Sequence, residues 1–122
     1  MYVAVTNVMA PPESVKRDPI TITTVAGNGS RAFSGDNIQS TLSAIDLPYG
    51  VAIDASRNIY ITDSGNFRIR MVNITTGVIT TVAGNGTQGF TGDNVLASTT
   101  GLSFGSGICF DKLGNLFIAE LP

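Results

Sequence analysis

An all-β fold follows from three observations on this 122-residue sequence. First, a word is used twice. Ile22-Thr23-Thr24-Val25-Ala26-Gly27-Asn28-Gly29 with Phe33-Ser34-Gly35-Asp36-Asn37 returns 57 residues later as Ile79-Thr80-Thr81-Val82-Ala83-Gly84-Asn85-Gly86 with Phe90-Thr91-Gly92-Asp93-Asn94. Second, each period holds four short runs rich in β-branched and aromatic residues, which suit a pleated surface. Third, these runs are separated by Gly/Asn/Asp/Ser punctuation of the kind tight turns require. Four antiparallel strands per repeat is the unit of a β-propeller blade, so the expected architecture is a partial propeller of about two repeats.

The elements follow in chain order. Tyr2–Thr6 is β-prone and matches Ile59–Thr62 one period on, after which Pro11-Pro12 and Pro19 interrupt the repeat because proline fixes φ and removes a donor. Ile20–Ala26 reads as a strand that Gly27-Asn28-Gly29 ends. The stretch 27–49 is read as an inter-blade loop, anchored by Phe33, turned by Ser34-Gly35-Asp36-Asn37, and carrying a helical turn or two within Ser40–Leu47. Gly50 opens Val51–Asp54; Ala55–Asn58 makes a hairpin, with Arg57 where the second copy has Gly114, and Ile59–Thr62 returns. A left-handed arginine there costs about 1 kcal/mol. Asp63–Asn66 turns into Phe67–Val72, whose alternation places Phe67, Ile69 and Met71 on one face and Arg68 and Arg70 on the other. Residues 78–83 complete that blade. Residues 84–106 repeat the loop, and Gly107 to Glu120, with Asp111 and Asn115 at the hairpin, repeat the inner strands. In blade terms, 1–26 supply outer strands of a first blade, 50–83 a complete second, and 107–120 the inner strands of a third.

Residues Tyr49-Gly50-Val51-Ala52-Ile53-Asp54, Asn58-Ile59-Tyr60-Ile61-Thr62-Asp63 and Asn66-Phe67-Arg68-Ile69-Arg70 together resemble the NHL repeat. The preceding Gly-Asn-Gly and Phe-Ser-Gly-Asp words resemble its long-period variety, found in teneurin-like and many bacterial secreted proteins. The resemblance spans roughly residues 20–120. It implies a propeller serving as a binding or scaffold module. The family also holds RNA-binding members and an amidating lyase whose metal site uses histidines. The repeat-defining positions are Gly27, Gly29, Phe33, Gly35, Asp36, Gly50, Asp54, Asn58, Asp63, Arg68, Gly84, Gly86, Phe90, Gly92, Asp93, Gly107, Asp111 and Asn115.

Composition narrows the function. The chain has no histidine, a net charge of −2 and one cysteine. The commonest metal ligand and general base is thus missing, and no basic stripe invites nucleic acid. Cys109, between Ile108 and Phe110, is expected as a packed strand thiol. Gly84-Asn85-Gly86-Thr87-Gln88-Gly89 matches the dinucleotide pattern, but another turn follows where a phosphate-binding helix would open. Asp36 and Asp93 are read as Asx-type turns accepting backbone N–H groups rather than calcium ligands. Asp54 with Asp111, and Asp63 with Glu120, recur once per blade, which suits turn closure better than the asymmetric pair a hydrolase needs. Arg68 and Arg70 are expected to pair with Asp63 or a neighbouring carboxylate, or to face solvent. No catalytic, cofactor or metal residue is assigned.

The expected function is therefore a non-catalytic module for a protein or glycan ligand at the blade loops, with no nucleic acid and no membrane span. The alternatives are a propeller-type lyase or lactonase-like hydrolase with axial carboxylates, and an RNA-binding module. A ring takes 4–8 blades, so the sequence is expected to be a fragment of a longer protein, or else to assemble head to tail through its open blade edges. Three sequons, at Asn28, Asn73 and Asn85, and a Ser/Thr-rich composition accord with an extracellular or cell-surface setting, although Met1–Ala10 does not read as a signal peptide.

Overall fold

A computed structural model describes residues 5–9 and 20–121. Nine strands follow in order: β1 (Val5–Met9), β2 (Thr21–Ala26), β3 (Ile38–Gln39), β4 (Pro48–Ile53), β5 (Ile59–Asp63), β6 (Arg68–Val72), β7 (Val78–Ala83), β8 (Gly105–Phe110) and β9 (Leu116–Glu120). They form three antiparallel sheets. β1 pairs with β2, the central sheet runs β3-β7-β6-β5-β4, and β8 pairs with β9. The central sheet is a four-stranded meander, β4 to β7, with the two-residue β3 added outside it from the long connection. Of the helical turns expected within Ser40–Leu47, a single 3-10 turn at Ser40–Leu42 forms. The result is all-β and propeller-like, with sheets that do not close into a ring.

Both faces of the central sheet are apolar because both are covered. On one side Ile61, Val72 and Ile79 pack with Ile45 from the connection and with Val5 and Ala26 of the first sheet. On the other, Ile69 and Ala83 pack with Leu102, while Tyr60, Ile108, Leu116 and Ile118 close over them from the third sheet. The ring of Tyr60 meets Phe110 edge-on at 4.7 Å, and Phe67 meets Phe104 at 5.3 Å. Each fully buried isoleucine contributes about 1.5–3 kcal/mol by leaving water, so two interlocking cores hold the three sheets together.

The repeat explains what is buried and what is not. Ile79 is 0% exposed, whereas Ile22, its counterpart one period earlier, is 66% exposed. Ile79 faces the first sheet, and among the described residues no sheet stands on the corresponding side of Ile22. The same logic corrects one expectation. Cys109 is not packed but exposed, because Ile108 and Leu116 turn toward the central sheet while Cys109 and Phe117 take the opposite face.

Two further corrections concern strand identity. β1 is described from Val5, Tyr2–Ala4 lying outside the described residues, and it pairs directly with β2. Its register of Thr6 to Thr24 and Val8 to Ile22 reproduces that of Arg70 to Thr81 and Val72 to Ile79. β1 is thus the counterpart of β6, not of Ile59–Thr62. The proline-bearing segment that displaces it lies outside the described residues. Phe67, expected on the face of Ile69 and Met71, precedes the strand with φ 51° and ends the Ser64–Asn66 3-10 turn.

Candidate functional site

The loops that leave each sheet are built by the same side chains in both copies. Asn28 accepts from Ser30 N–H at 2.9 Å and donates through Nδ2 to Leu42 O at 3.0 Å. Asn85 does the same with Thr87 N–H at 2.9 Å and Thr99 O at 3.1 Å. Ser34 Oγ accepts from Ala44 N–H, and Thr91 Oγ1 from Gly101 N–H. Gly27, Gly29, Gly84 and Gly86 all lie at φ between 88° and 101°, a region that glycine enters without strain. At Gly84 a side chain would also strike the backbone oxygen of Phe67. Gly50 lies inside the register shift of β4, and Gly107 bounds that of β8.

Asp54 accepts from Asn58 N–H at 2.8 Å and Nδ2 at 3.0 Å, and Asp111 accepts the equivalent pair from Asn115, both at 2.8 Å. The Asn115 hydrogen bonds hold the Asp111 carboxyl below its usual range. For Asp54, burial works to raise the carboxyl, but the hydrogen bonds from Asn58 and the Tyr60 hydroxyl outweigh it and the net direction is down. Arg57 stands at φ 69° and its counterpart Gly114 at 86°, so the first copy tolerates a left-handed arginine.

Between loop and sheet lies a polar node that alternation did not foresee. Arg70 is wholly buried. Its Nη2 donates to Gly35 O at 2.6 Å and to Asp36 Oδ1 at 3.2 Å, and its Nη1 reaches Asp63 Oδ2 at 3.5 Å. The Phe33 ring lies under both guanidinium groups, 3.8 Å from Arg68 Cζ and 4.9 Å from Arg70 Cζ. Asp63 is pinned by Asp46 N–H at 2.8 Å and Asn66 Nδ2 at 2.9 Å. Burial pushes its carboxyl above the usual carboxylate range, while Asn66, the Asp46 N–H and Arg70 oppose that shift. Asp36 is not the Asx turn expected of it, since it accepts from Arg70 and from Thr81 Oγ1 at 2.8 Å. Arg68 donates to Asn66 O and Asn85 O, tying the node to the next loop. Arg70 thus pairs with Asp63, one of the partners expected of it, and the two arginines fasten the first loop to the central sheet.

The second copy repeats several of these residues. Phe90, Asp93, Asn94, Val95, Leu102 and Glu120 line a cleft of about 390 Å³. They are the counterparts of Phe33, Asp36, Asn37, Ile38, Ile45 and Asp63, one period later. Glu120 is held as Asp63 is, accepting from Ser103 N–H at 3.3 Å where Asp63 accepts from Asp46 N–H. Asn94 and Asn37 share a left-handed backbone, φ 59° and 62°. Phe90, with no guanidinium over it among the described residues, is 71% exposed. Asp93 and Glu120 are thus brought to one cleft, whereas Asp54 and Asp111 stay with their own hairpins. Among the described residues no cluster of three or more His, Cys, Asp or Glu side chains is arranged to hold a metal, and no helix is long and apolar enough to cross a membrane.

Sheets of this order, stacked face to face and repeated at a fixed period, are propeller blades. Residues 46–70 match the NHL repeat, and the stacked antiparallel sheets have the architecture of a partial propeller. Two crystal structures from Bacteroides thetaiotaomicron VPI-5482 share the fold. A structural genomics protein of unknown function superposes with a TM-score of 0.70 at 22% identity, over 81% of this chain and 24% of its own. An auxiliary nutrient binding protein superposes with a TM-score of 0.68 at 23% identity, over 98% of this chain and 30% of its own. The chain therefore spans about a quarter to a third of the length of these two structures. No curated protein matches it.

Proposed function

We propose that the chain is a non-catalytic propeller module that binds a protein or glycan ligand at its blade loops. The open cleft of the second loop carries this reading. It joins an exposed aromatic face, Phe90, to two carboxylates and to Asn94, on a frame fixed by the Asn85 and Thr91 hydrogen bonds. An aromatic face beside fixed polar groups is the usual make-up of a recognition site. The fold shared with an auxiliary nutrient binding protein supports a binding role. Asp54 and Asp111 are engaged in closing their own hairpins.

The test is a screen of the full chain on arrays of glycans and extended peptides, with each hit titrated against Phe90→Ser. Saturable binding that weakens at least about tenfold in this variant, a loss of about 1.4 kcal/mol, supports the reading. Absence of any saturable hit, or hits indifferent to Phe90, overturns it.

A further inference from the structure

The sequons at Asn28, Asn73 and Asn85 share one pattern but not one environment. Attachment of a sugar to such a site joins it to the asparagine Nδ2, and the pattern requires a hydroxyl two residues on. Asn28 Nδ2 donates to Leu42 O at 3.0 Å, and Asn85 Nδ2 donates to Thr99 O at 3.1 Å. The Thr87 hydroxyl is engaged as well, donating to Asn85 Oδ1 at 2.6 Å. At Asn73 only Oδ1 is engaged, accepting from the N–H groups of Thr75 at 2.9 Å and Thr76 at 3.1 Å. Its Nδ2 and the Thr75 hydroxyl have no hydrogen-bond partner among the described residues, and Ile74, Thr75 and Thr76 are all exposed. We infer that Asn73 is an N-glycan acceptor in the folded chain, and that Asn28 and Asn85 are not. The inference stands apart from the binding role proposed above.

The local frame holds the acceptor ready. Asn73 opens the turn between β6 and β7, which closes through Asn73 N–H to Val78 O and Gly77 N–H to Asn73 O. Ile74 N–H donates to Asn58 Oδ1 at 3.2 Å and Gln39 Nε2 to Thr76 O at 3.3 Å, so neighbouring elements brace the turn on both sides. Two backbone donors on Oδ1 fix the planar amide and leave Nδ2 outside the hydrogen-bonded turn. In the transfer, Nδ2 bonds to the anomeric carbon of a sugar diphosphate donor as that carbon's bond to the phosphate oxygen breaks. The diphosphate carrier leaves with the electron pair, and the amide proton passes to a base of the transferase. The same reaction at Asn28 or Asn85 would first have to break a hydrogen bond that anchors a loop. Asn73 also stands at the end of β6 away from Arg68, which touches the Asn85 loop, so a glycan there leaves that loop clear.

The probe is a soluble N-glucosyltransferase with a nucleoside diphosphate glucose donor, selected for accepting capped peptides of all three sequons equally. It is incubated with the folded full chain, and each site is read by mass spectrometry of proteolytic peptides. One hexose on Asn73 is expected, added at least about tenfold faster than at Asn28 or Asn85, the factor that one hydrogen bond can supply. Thr75→Ala removes an exposed hydroxyl and keeps the backbone donor to Asn73 Oδ1. It should abolish the transfer without moving the thermal midpoint. No sugar on Asn73, or comparable rates at Asn28 or Asn85, overturns the assignment. Sugar that persists on Asn73 in Thr75→Ala overturns it as well.

Discussion

Ile79 and Ile22 occupy the same place in the repeat, so cutting each to alanine isolates what a neighbouring sheet contributes. Ile79→Ala removes three side-chain carbons from a position that is 0% exposed. At about 0.8 kcal/mol per buried carbon the transfer term is about 2.4 kcal/mol. The cavity left between Ile61, Val72 and Ile45 raises the loss to about 3–4 kcal/mol. Ile22→Ala removes the same atoms from a side chain that is 66% exposed. Only about a third of the transfer term applies, about 0.8 kcal/mol, with little cavity cost. Urea unfolding followed by far-UV circular dichroism reads the difference as a large shift of midpoint for Ile79→Ala and a small one for Ile22→Ala, at unchanged slope. Equal losses, or a larger loss at Ile22, would refute the argument that burial here is conferred by the adjacent sheet rather than by the strand itself.

The other expectations concern the polar framework. Arg70→Ala leaves the buried Asp63 without its cation and should cost about 3–5 kcal/mol, read as a fall in thermal midpoint; a change below 1 kcal/mol on that same scale would deny the node a structural role. Arg57→Gly relieves a left-handed arginine at φ 69° and should stabilise by up to about 1 kcal/mol, with destabilisation the contrary result. Asp54 and Asp111 have depressed folded-state values, so their contribution is present above the ordinary carboxylate value of about 4 and is lost as pH falls through the depressed ones. Asp63, raised by burial, acts oppositely: its share is lost as pH climbs from the ordinary value through the raised one. Urea midpoints taken from about pH 5 to pH 2 should therefore fall less steeply with acid in Asp111→Asn than in the parent, and an unchanged slope would contradict the assignment.

Much of the frame was legible because glycine and asparagine at turns leave few alternatives. The duplicated Gly-Asn-Gly word and the Asp54–Asn58 and Asp111–Asn115 hairpins take the conformations their residue types predict, and Arg57 takes the left-handed backbone that its counterpart Gly114 marks. What stayed hidden depends on neighbours. Pairing of Arg70 with Asp63 was among the expectations, but not its burial: the Phe33 ring and Asp36, 34 or more residues away, make it the largest fully buried side chain among the described residues. The signal available in advance was that Phe33, Asp36, Asp63 and Arg70 fall within one period. Cys109 was misread for a related reason. A run such as Ile108-Cys109-Phe110 does not reveal which of its faces has a sheet beside it. The identity of β1 escaped because a fixed period cannot register a lengthened hairpin.

The account depends most on the three sheets being stacked as blades, each leaning on the next. Nuclear Overhauser spectroscopy of the aromatic rings tests this directly. Tyr60 to Phe110, at 4.7 Å, and Phe67 to Phe104, at 5.3 Å, each join the central sheet to residues of the third sheet or its lead-in, far apart in sequence. Strong inter-ring cross-peaks for both pairs are predicted. Their absence in a folded chain that keeps the β5–β6 and β8–β9 cross-strand contacts would show sheets that form but do not stack, and would contradict the propeller.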